Sequence, residues 1–532
     1  MIKDNFFDRK ATLDILEKRI RDLKDGYRQN IAIIGDESIG KTSIIFKLLN
    51  TFCDNRIIIL YLEVRPESLF SFAKRFIGVL LYNFLINSGI PLREDLDFLI
   101  KKSSGYIPKT VEKITSILNS IEKRKKNNIF PELLSLCETL TIETNKFCVV
   151  VLDEFHNLEK ADVKNLYTEW SKILISQKTT MYVITSSMKF RAKNILSKNL
   201  SLLFGNFEII NIEPFDISTS ERYLDNRFQE SKFNLDRSLR NFLVHFTGGF
   251  PFYLEVITGA YLKSIQSELS QILESLLFEP SGTLNQRFSN YLKRFLDSDY
   301  SKEYLSIMYF ISSGHNKLKD IAQILHKPKK EITLCINGLL ECDAINRSGD
   351  FLALNDRVFG FWLKFVYQGR LNSLTFDAKN QKLLFREKID EMIKEFLSHS
   401  IKPVSERIQE LLRQFSDETI QIERKRFKLS HFREIKTLEF NHRGLKEGLI
   451  GRSKDSLWII AFKQDLLSEE DIAEFAKECK KYRHKLQRKI IIAFQEIDAN
   501  ARLRALEEKI STWDLGNLNQ IFDFFYKPRI IS

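Results

Sequence analysis

Disulfide chemistry is the first thing this sequence lacks. Its six cysteines (Cys53, Cys137, Cys148, Cys335, Cys342 and Cys479) are scattered and form no CxxC pair. That excludes a disulfide framework or a cysteine zinc site, and predicts reduced thiols in a cytoplasmic protein. Long hydrophobic runs are missing as well. The longest near-apolar stretch, Phe76 to Ile86, falls short of the ~20 residues that span a bilayer, so no membrane partner is expected. The opening Met1-Ile2-Lys3-Asp4-Asn5 lacks the apolar core of a secretory signal. Charge is not strongly one-sided: Lys and Arg exceed Asp and Glu by 82 − 70 = 12. Such an excess is compatible with nucleic acid without establishing it. A chain of 532 residues is too long for one core and suggests about three or four domains.

What is present begins with Gly35-Asp36-Glu37-Ser38-Ile39-Gly40-Lys41-Thr42-Ser43. Two glycines four residues apart, followed by Lys and Thr, make a phosphate-loop pattern. The glycines let the backbone wrap a phosphate with its N–H groups pointing inward. Lys41 supplies charge between the β- and γ-phosphates of ATP, and the Thr42 hydroxyl can ligate Mg²⁺. The flanks fit, because Ile31 to Ile34 reads as a buried strand and Ser43 to Leu49 opens a helix whose dipole favours the same anion.

Further strands are predicted at Arg56 to Glu63, Phe147 to Leu152, Thr180 to Ile184 and Phe207 to Ile212. The third of the five ends in Asp153-Glu154. There the first carboxylate can hold Mg²⁺, and the second can orient or deprotonate an attacking water. The next ends in Thr185-Ser186-Ser187, where a hydroxyl would lie beside the γ-phosphate. We assign that role to Ser186, with a helix cap before Lys189 as the alternative. Strands alternating with helices predict an α/β fold, a parallel sheet with its ligand at the strands' carboxyl ends. Helices at Pro66 to Asn87, Lys109 to Lys126 and Phe130 to Glu143 predict a helical insertion over 66–145. Past Asp216, helices around the turn Gly248-Gly249-Phe250-Pro251 predict a lid over 216–300, after a core of 1–215.

In order, these features resemble the AAA+-related STAND and archaeal-type P-loop ATPases. Phe6-x-x-Arg9 matches their opening motif, and Gly249-Phe250-Pro251 is similar to their lid motif. The resemblance implies nucleotide contacts from Arg9 and Pro251, with Asp153 and Thr42 as metal ligands. One departure stands out: an Arg expected before the fifth strand is absent from Leu203-Phe204-Gly205-Asn206. Transition-state charge must then come from elsewhere, Arg191 being one source and a neighbouring copy in a homo-oligomer another, or hydrolysis is slow.

Residues 301–368 predict three helices and a hairpin, which resembles a winged helix. Lys327, Lys329, Lys330 and Arg347 would face DNA phosphates if it binds duplex DNA, and the same fold can instead contact protein. Gly369 to Asn380 reads as a linker. From 385 to 532, strands at Leu457 to Phe462 and Lys489 to Phe494 around a helix resemble the restriction-endonuclease-like tail of related ATPases. The metal tripeptide reads Ala461-Phe462-Lys463, with Glu447 beside Gly448 at the first acid, so nuclease activity is not expected. The whole reads as an ATPase that serves as a nucleotide-dependent switch, coupled to DNA or protein; the alternative is an ATP-gated DNA-binding protein or nuclease.

Overall fold

Five apolar stretches pair into one sheet: β1 (Asn30–Gly35), β2 (Ile57–Glu63), β3 (Phe147–Asp153), β4 (Thr180–Ser186) and β5 (Phe207–Ile212). All neighbours are parallel, in the order β2-β3-β4-β1-β5. Parallel strands need both faces covered, which is why β1 and β4 are buried along their whole length. The α/β sheet expected from the alternating pattern is therefore present. This computed structural model describes the chain except residues 1–5, 91–94, 124–128, 162–164, 202–206, 231–234, 265–266, 298, 373–376, 423–424, 441–443, 455, 483–485 and 532. The chain divides into two compact units, 1–214 and 215–532.

In the first unit, the stretch between β2 and β3 holds the helices Leu69–Asn87, Leu96–Ser103, Pro108–Glu122 and Ile129–Thr144. Leu69–Asn87 falls within the helix expected over 66–87: Ser68 caps it on Ser71 N–H, and it runs for 19 residues. By length and composition alone it could cross a membrane. In this fold Phe72, Phe76, Leu80 and Phe84 enter the core of the first unit. Trp170 sits there fully buried, edge-on to Phe130, Phe155 and Tyr182. Truncating such a ring costs about 3–5 kcal/mol.

The second unit opens with the helices Ile217–Glu230, Arg237–Thr247 and Pro251–Lys263. Gly249, at φ 82°, has no room for a side chain, since a Cβ would lie 2.1 Å from Phe215 O. Three helices (Ser301–Ser312, Leu318–Ile324, Lys329–Glu341) lead to the antiparallel hairpin of β6 (Ile345–Ser348) and β7 (Phe351–Leu354). The tip of this hairpin is already engaged. A second hairpin, β8 (Glu418–Ile422) with β9 (Lys425–Leu429), receives it through Asp350 N–H to Thr419 O at 2.9 Å and Ser348 Oγ to Gln421 O at 2.9 Å. The segment expected as a linker is partly helical. Asp377 caps a helix running Ala378–Ile401, which packs on the helices Arg237–Thr247 and Leu269–Leu277. Arg386 and Lys382 there reach the buried Glu274 at 2.7 and 3.0 Å.

The last sheet orders β10 (Glu434–Glu439), β11 (Glu447–Arg452), β12 (Leu457–Lys463), β13 (Leu486–Ala493) and β14 (Ser511–Trp513). β10 to β12 are antiparallel, and β12 to β14 parallel. A half-buried cluster ties distant parts of this unit together. Asp523 binds Arg357 and also Arg529, the latter at 2.7 Å. His245 Nδ1 accepts from Arg529 N–H at 3.3 Å and lies 3.5 Å from Arg357 Nη2, its ring stacked on Phe396. Burial and then the Arg357 charge hold this imidazole well below the usual histidine range.

Candidate functional site

The loop after β1 has the backbone that an anion cradle needs. Ser38 has φ 60° and Gly40 φ 103°, so successive N–H groups can turn to one side. Gly35 is required by close approach: a Cβ there would lie 2.6 Å from Ile212 O on β5. The loop runs directly into the helix Lys41–Thr51, whose amino end favours negative charge.

Lys41 is 4% exposed, and its ammonium donates to Gly35 O at 3.1 Å and Asp36 O at 2.9 Å. Glu154 Oε1 lies 3.8 Å away. Burial lowers this ammonium, opposed by the carboxylates of Glu154, Asp153, Asp36 and Glu37. Because β4 separates β1 from β3, the carboxyl ends of three strands meet at one rim. There Asp153 Oδ2 accepts from Thr42 Oγ1 at 2.9 Å and from the Tyr61 hydroxyl at 2.8 Å. Thr185 donates to Asp153 Oδ1. Burial, then the bond to Asp153, raises the Tyr61 phenol far above its ordinary value, so it stays a donor.

Glu154 is placed by its own backbone, at φ 54°, and by Thr185 Oγ1, which accepts its N–H at 3.1 Å. Its carboxylate accepts from Ser187 N–H at 2.8 Å and Ser187 Oγ at 2.9 Å. His156 Nδ1 lies 3.3 Å from the same carboxylate and 2.9 Å from Ser186 Oγ. Burial lowers this imidazole to about 4, helped by Arg191, Lys160 and Lys41, so the ring is neutral near pH 7.

The structure thus brings together Lys41, Thr42, Asp153 and Glu154. Ser186 does not contact the acidic pair. Its hydroxyl accepts Met188 N–H at 3.1 Å and faces His156, whereas the flanking Thr185 and Ser187 reach the acids, because alternate residues of a strand face opposite ways. Arg9 sits at φ 66° and donates to Glu213 O at 2.5 Å. Pro251 begins a helix of the second unit. Asn206 lies outside the described residues. Arg191 is bound by Glu159, while Lys189 reaches the phosphate loop itself, with its ammonium 2.8 Å from the Asp36 carboxylate. Tyr61, His156 and Lys189 were not singled out from sequence, and Thr185 and Ser187 appeared there only as neighbours of Ser186 at the end of the strand. Tyr61, the one hydroxyl in the strand Ile57–Glu63, carried the clearest signal.

Metal fit differs between the two units. Thr42 and Asp153 offer hard oxygen donors on one side of a phosphate-sized cradle, as Mg²⁺ prefers. In the second unit Ala461 stands on β12 opposite Gly448, and Glu447 is exposed opposite Glu439. Lys463 is bound to Asp471 at 3.0 Å.

Residues 6–257 match the family described as an ATPase domain predominantly from Archaea. No curated protein matches the chain. Among solved structures, a Walker-type ATPase of Pyrococcus abyssi is similar at 19% identity and TM-score 0.50, over 68% of this chain and 97% of that one. The ORC2 protein of Aeropyrum pernix aligns at 10% identity and TM-score 0.43, over 73% of this chain and 94% of that one. The order of the sheet and the loop after β1 agree with that match: residues 6–257 have the phosphate loop and the parallel sheet of an ATPase domain.

Proposed function

We propose that this protein binds ATP with Mg²⁺ at the loop after β1, hydrolyses it slowly, and uses the nucleotide state as a switch. The observation that carries this reading is the convergence on Asp153 of hydroxyls from Thr42, Tyr61 and Thr185, with Lys41 and Glu154 alongside. Lys41 would exchange the carbonyls of Gly35 and Asp36 for β- and γ-phosphate oxygens. Thr42 and Asp153 would hold Mg²⁺, which neutralises charge on the phosphates. Glu154 would orient or deprotonate the attacking water. It must part from Ser187 to do so, which favours slow turnover. Lys189, drawn from Asp36 towards the γ-phosphate, would supply a cation in cis.

The switch reading rests on the half-buried ionic cluster of the second unit. A Cβ at Gly248 would lie 3.1 Å from Arg357 Cδ, so the turn leading to Pro251 is braced on a residue that Asp523 ties to Arg529. A shift of that turn would be passed to the carboxyl-terminal segment. The tail then serves as a contact module and not as a nuclease, since Lys463 is held by Asp471 and Ala461 brings no carboxylate. Six cysteines that form no disulfide fit a reducing cytoplasm.

Calorimetric titration with ATP and Mg²⁺ tests the first step. Lys41→Ala is expected to weaken ATP affinity by about 100-fold, the loss of charge-assisted hydrogen bonds to phosphate. Wild-type protein with no nucleotide affinity, or equal binding by the variant, would overturn the reading. For the switch, protease sensitivity of the second unit should differ between ATP and ADP in wild type and be the same in Asp523→Asn.

A further inference from the structure

One cavity in the second unit has a chemical character that the ATPase reading does not use. It holds about 440 Å³ and is bordered by Lys425 and Arg426 of β9, Arg488 of β13, Lys509, and Ser511 at the start of β14. Phe427 forms its apolar side, and the Arg488 guanidinium lies 5.3 Å from the centre of that ring. Stacking fixes the plane of the guanidinium and leaves its edge for a ligand. Lys509 is set by a left-handed backbone, φ 55°, at the end of the helix Ala499–Glu507.

No carboxylate borders this cavity among the described residues. Glu507 and Glu508, next to Lys509 in sequence, are turned to Arg504 at 3.2 and 3.6 Å. Several cations elsewhere in the unit are matched: Lys428 of the same strand binds Asp417, Lys317 binds Glu418, and Lys402 binds Glu410. Even Lys327, expected to face DNA, is held by Glu303 and Glu331. Four cations around one concavity, with no acid among the described residues that border it, focus a positive potential that an anion relieves. Arg502 extends the surface, because it lies one helical turn before Leu506, which also borders the cavity.

We propose that this cavity and the helix face beside it bind the sugar–phosphate backbone of nucleic acid. Cations spread over two strands and a helix end suit a polymer with repeated phosphates better than one small anion. Arginine and lysine heads contact phosphate without reading bases, so binding is expected to be independent of sequence. The hairpin of β6 and β7 contributes less, its tip being occupied by β8. This inference deepens the switch reading by naming the partner of the tail, and it rests on that reading only for any dependence on ATP.

The test is fluorescence anisotropy of a labelled DNA duplex with the full-length protein at low salt, with ATP hydrolysis measured on the same preparations. Arg426→Glu combined with Lys509→Glu is expected to weaken binding by about 10-fold or more, and to reduce the salt slope by about 2. Hydrolysis and thermal midpoint should stay as in wild type, because both side chains are exposed. Lys329→Glu with Lys330→Glu is the matched charge control and should lose less. The proposal is overturned if the cavity variant binds like wild type, if the control loses as much, or if wild type shows no salt-dependent binding. It is also overturned if inorganic phosphate or an acidic peptide binds the cavity as tightly as the duplex. Duplex binding without hydrolysis would leave the cavity assigned and sink the ATPase reading alone.

Discussion

Two buried lysines set the two halves of this molecule apart. Lys41, 4% exposed, opens the helix after β1, and Lys463, 7% exposed, closes β12. Lys41 rests on two carbonyls, with the Glu154 carboxylate farther off at 3.8 Å. Lys463 is paired with Asp471 at 3.0 Å, and Gly444 leaves no space around them, since a Cβ there would lie 1.9 Å from Asp471 Oδ1. Burial acts to raise the Asp471 carboxyl, yet hydrogen bonds from Ser468 and Lys463 prevail and hold it below its usual value. An ammonium on carbonyls can exchange them for phosphate oxygens, whereas one locked to a buried carboxylate cannot without a large penalty. The same residue type therefore makes an open site in one unit and a structural pair in the other.

The sharpest way to test the open site is to remove its second acid. Glu154→Gln is expected to slow phosphate release by about 10²–10⁴-fold while leaving ATP affinity nearly unchanged, as a general base would. A drop in affinity of the same size would assign Glu154 to binding and not to chemistry. At the closed site, Asp471→Ala strands a buried ammonium and should cost about 3–5 kcal/mol in denaturant unfolding, whereas Lys463→Met with Asp471→Leu should cost much less. Equal losses would show that the pair is needed for more than mutual neutralisation.

Acid distinguishes the halves less sharply. His156 takes up a proton in the unfolded chain near 6.5 but in the fold only near 4. Its contribution is complete above pH 6.5 and is lost as pH falls towards 4, about 3 kcal/mol in all. Melting followed over that window should show the decline, and His156→Gln should flatten it. The smallest effect is expected from Tyr61→Phe. It removes one hydrogen bond to Asp153 at 2.8 Å, worth about 1–2 kcal/mol, and should raise the Mg²⁺ concentration needed for half-maximal hydrolysis several-fold. An unchanged requirement would leave Tyr61 with a packing role against Phe46 alone.

The sequence by itself determined the five strands, the phosphate loop and the acidic pair. Local backbone needs at Gly35 and Gly40, and unbroken apolar runs such as Phe147 to Leu152, are written into neighbouring residues. It could not say that Thr185 and Ser187 would reach the acids while Ser186 faced His156, because strand orientation depends on how β4 fits between β1 and β3. Nor could it show that Asp377 would start a helix across an expected linker, or that Asp471 would neutralise Lys463. Those outcomes, like the gathering of cations around Arg488, arise from residues brought together across long stretches of chain. Burial and Coulomb energy act on distances in space, and only the tertiary structure fixes these.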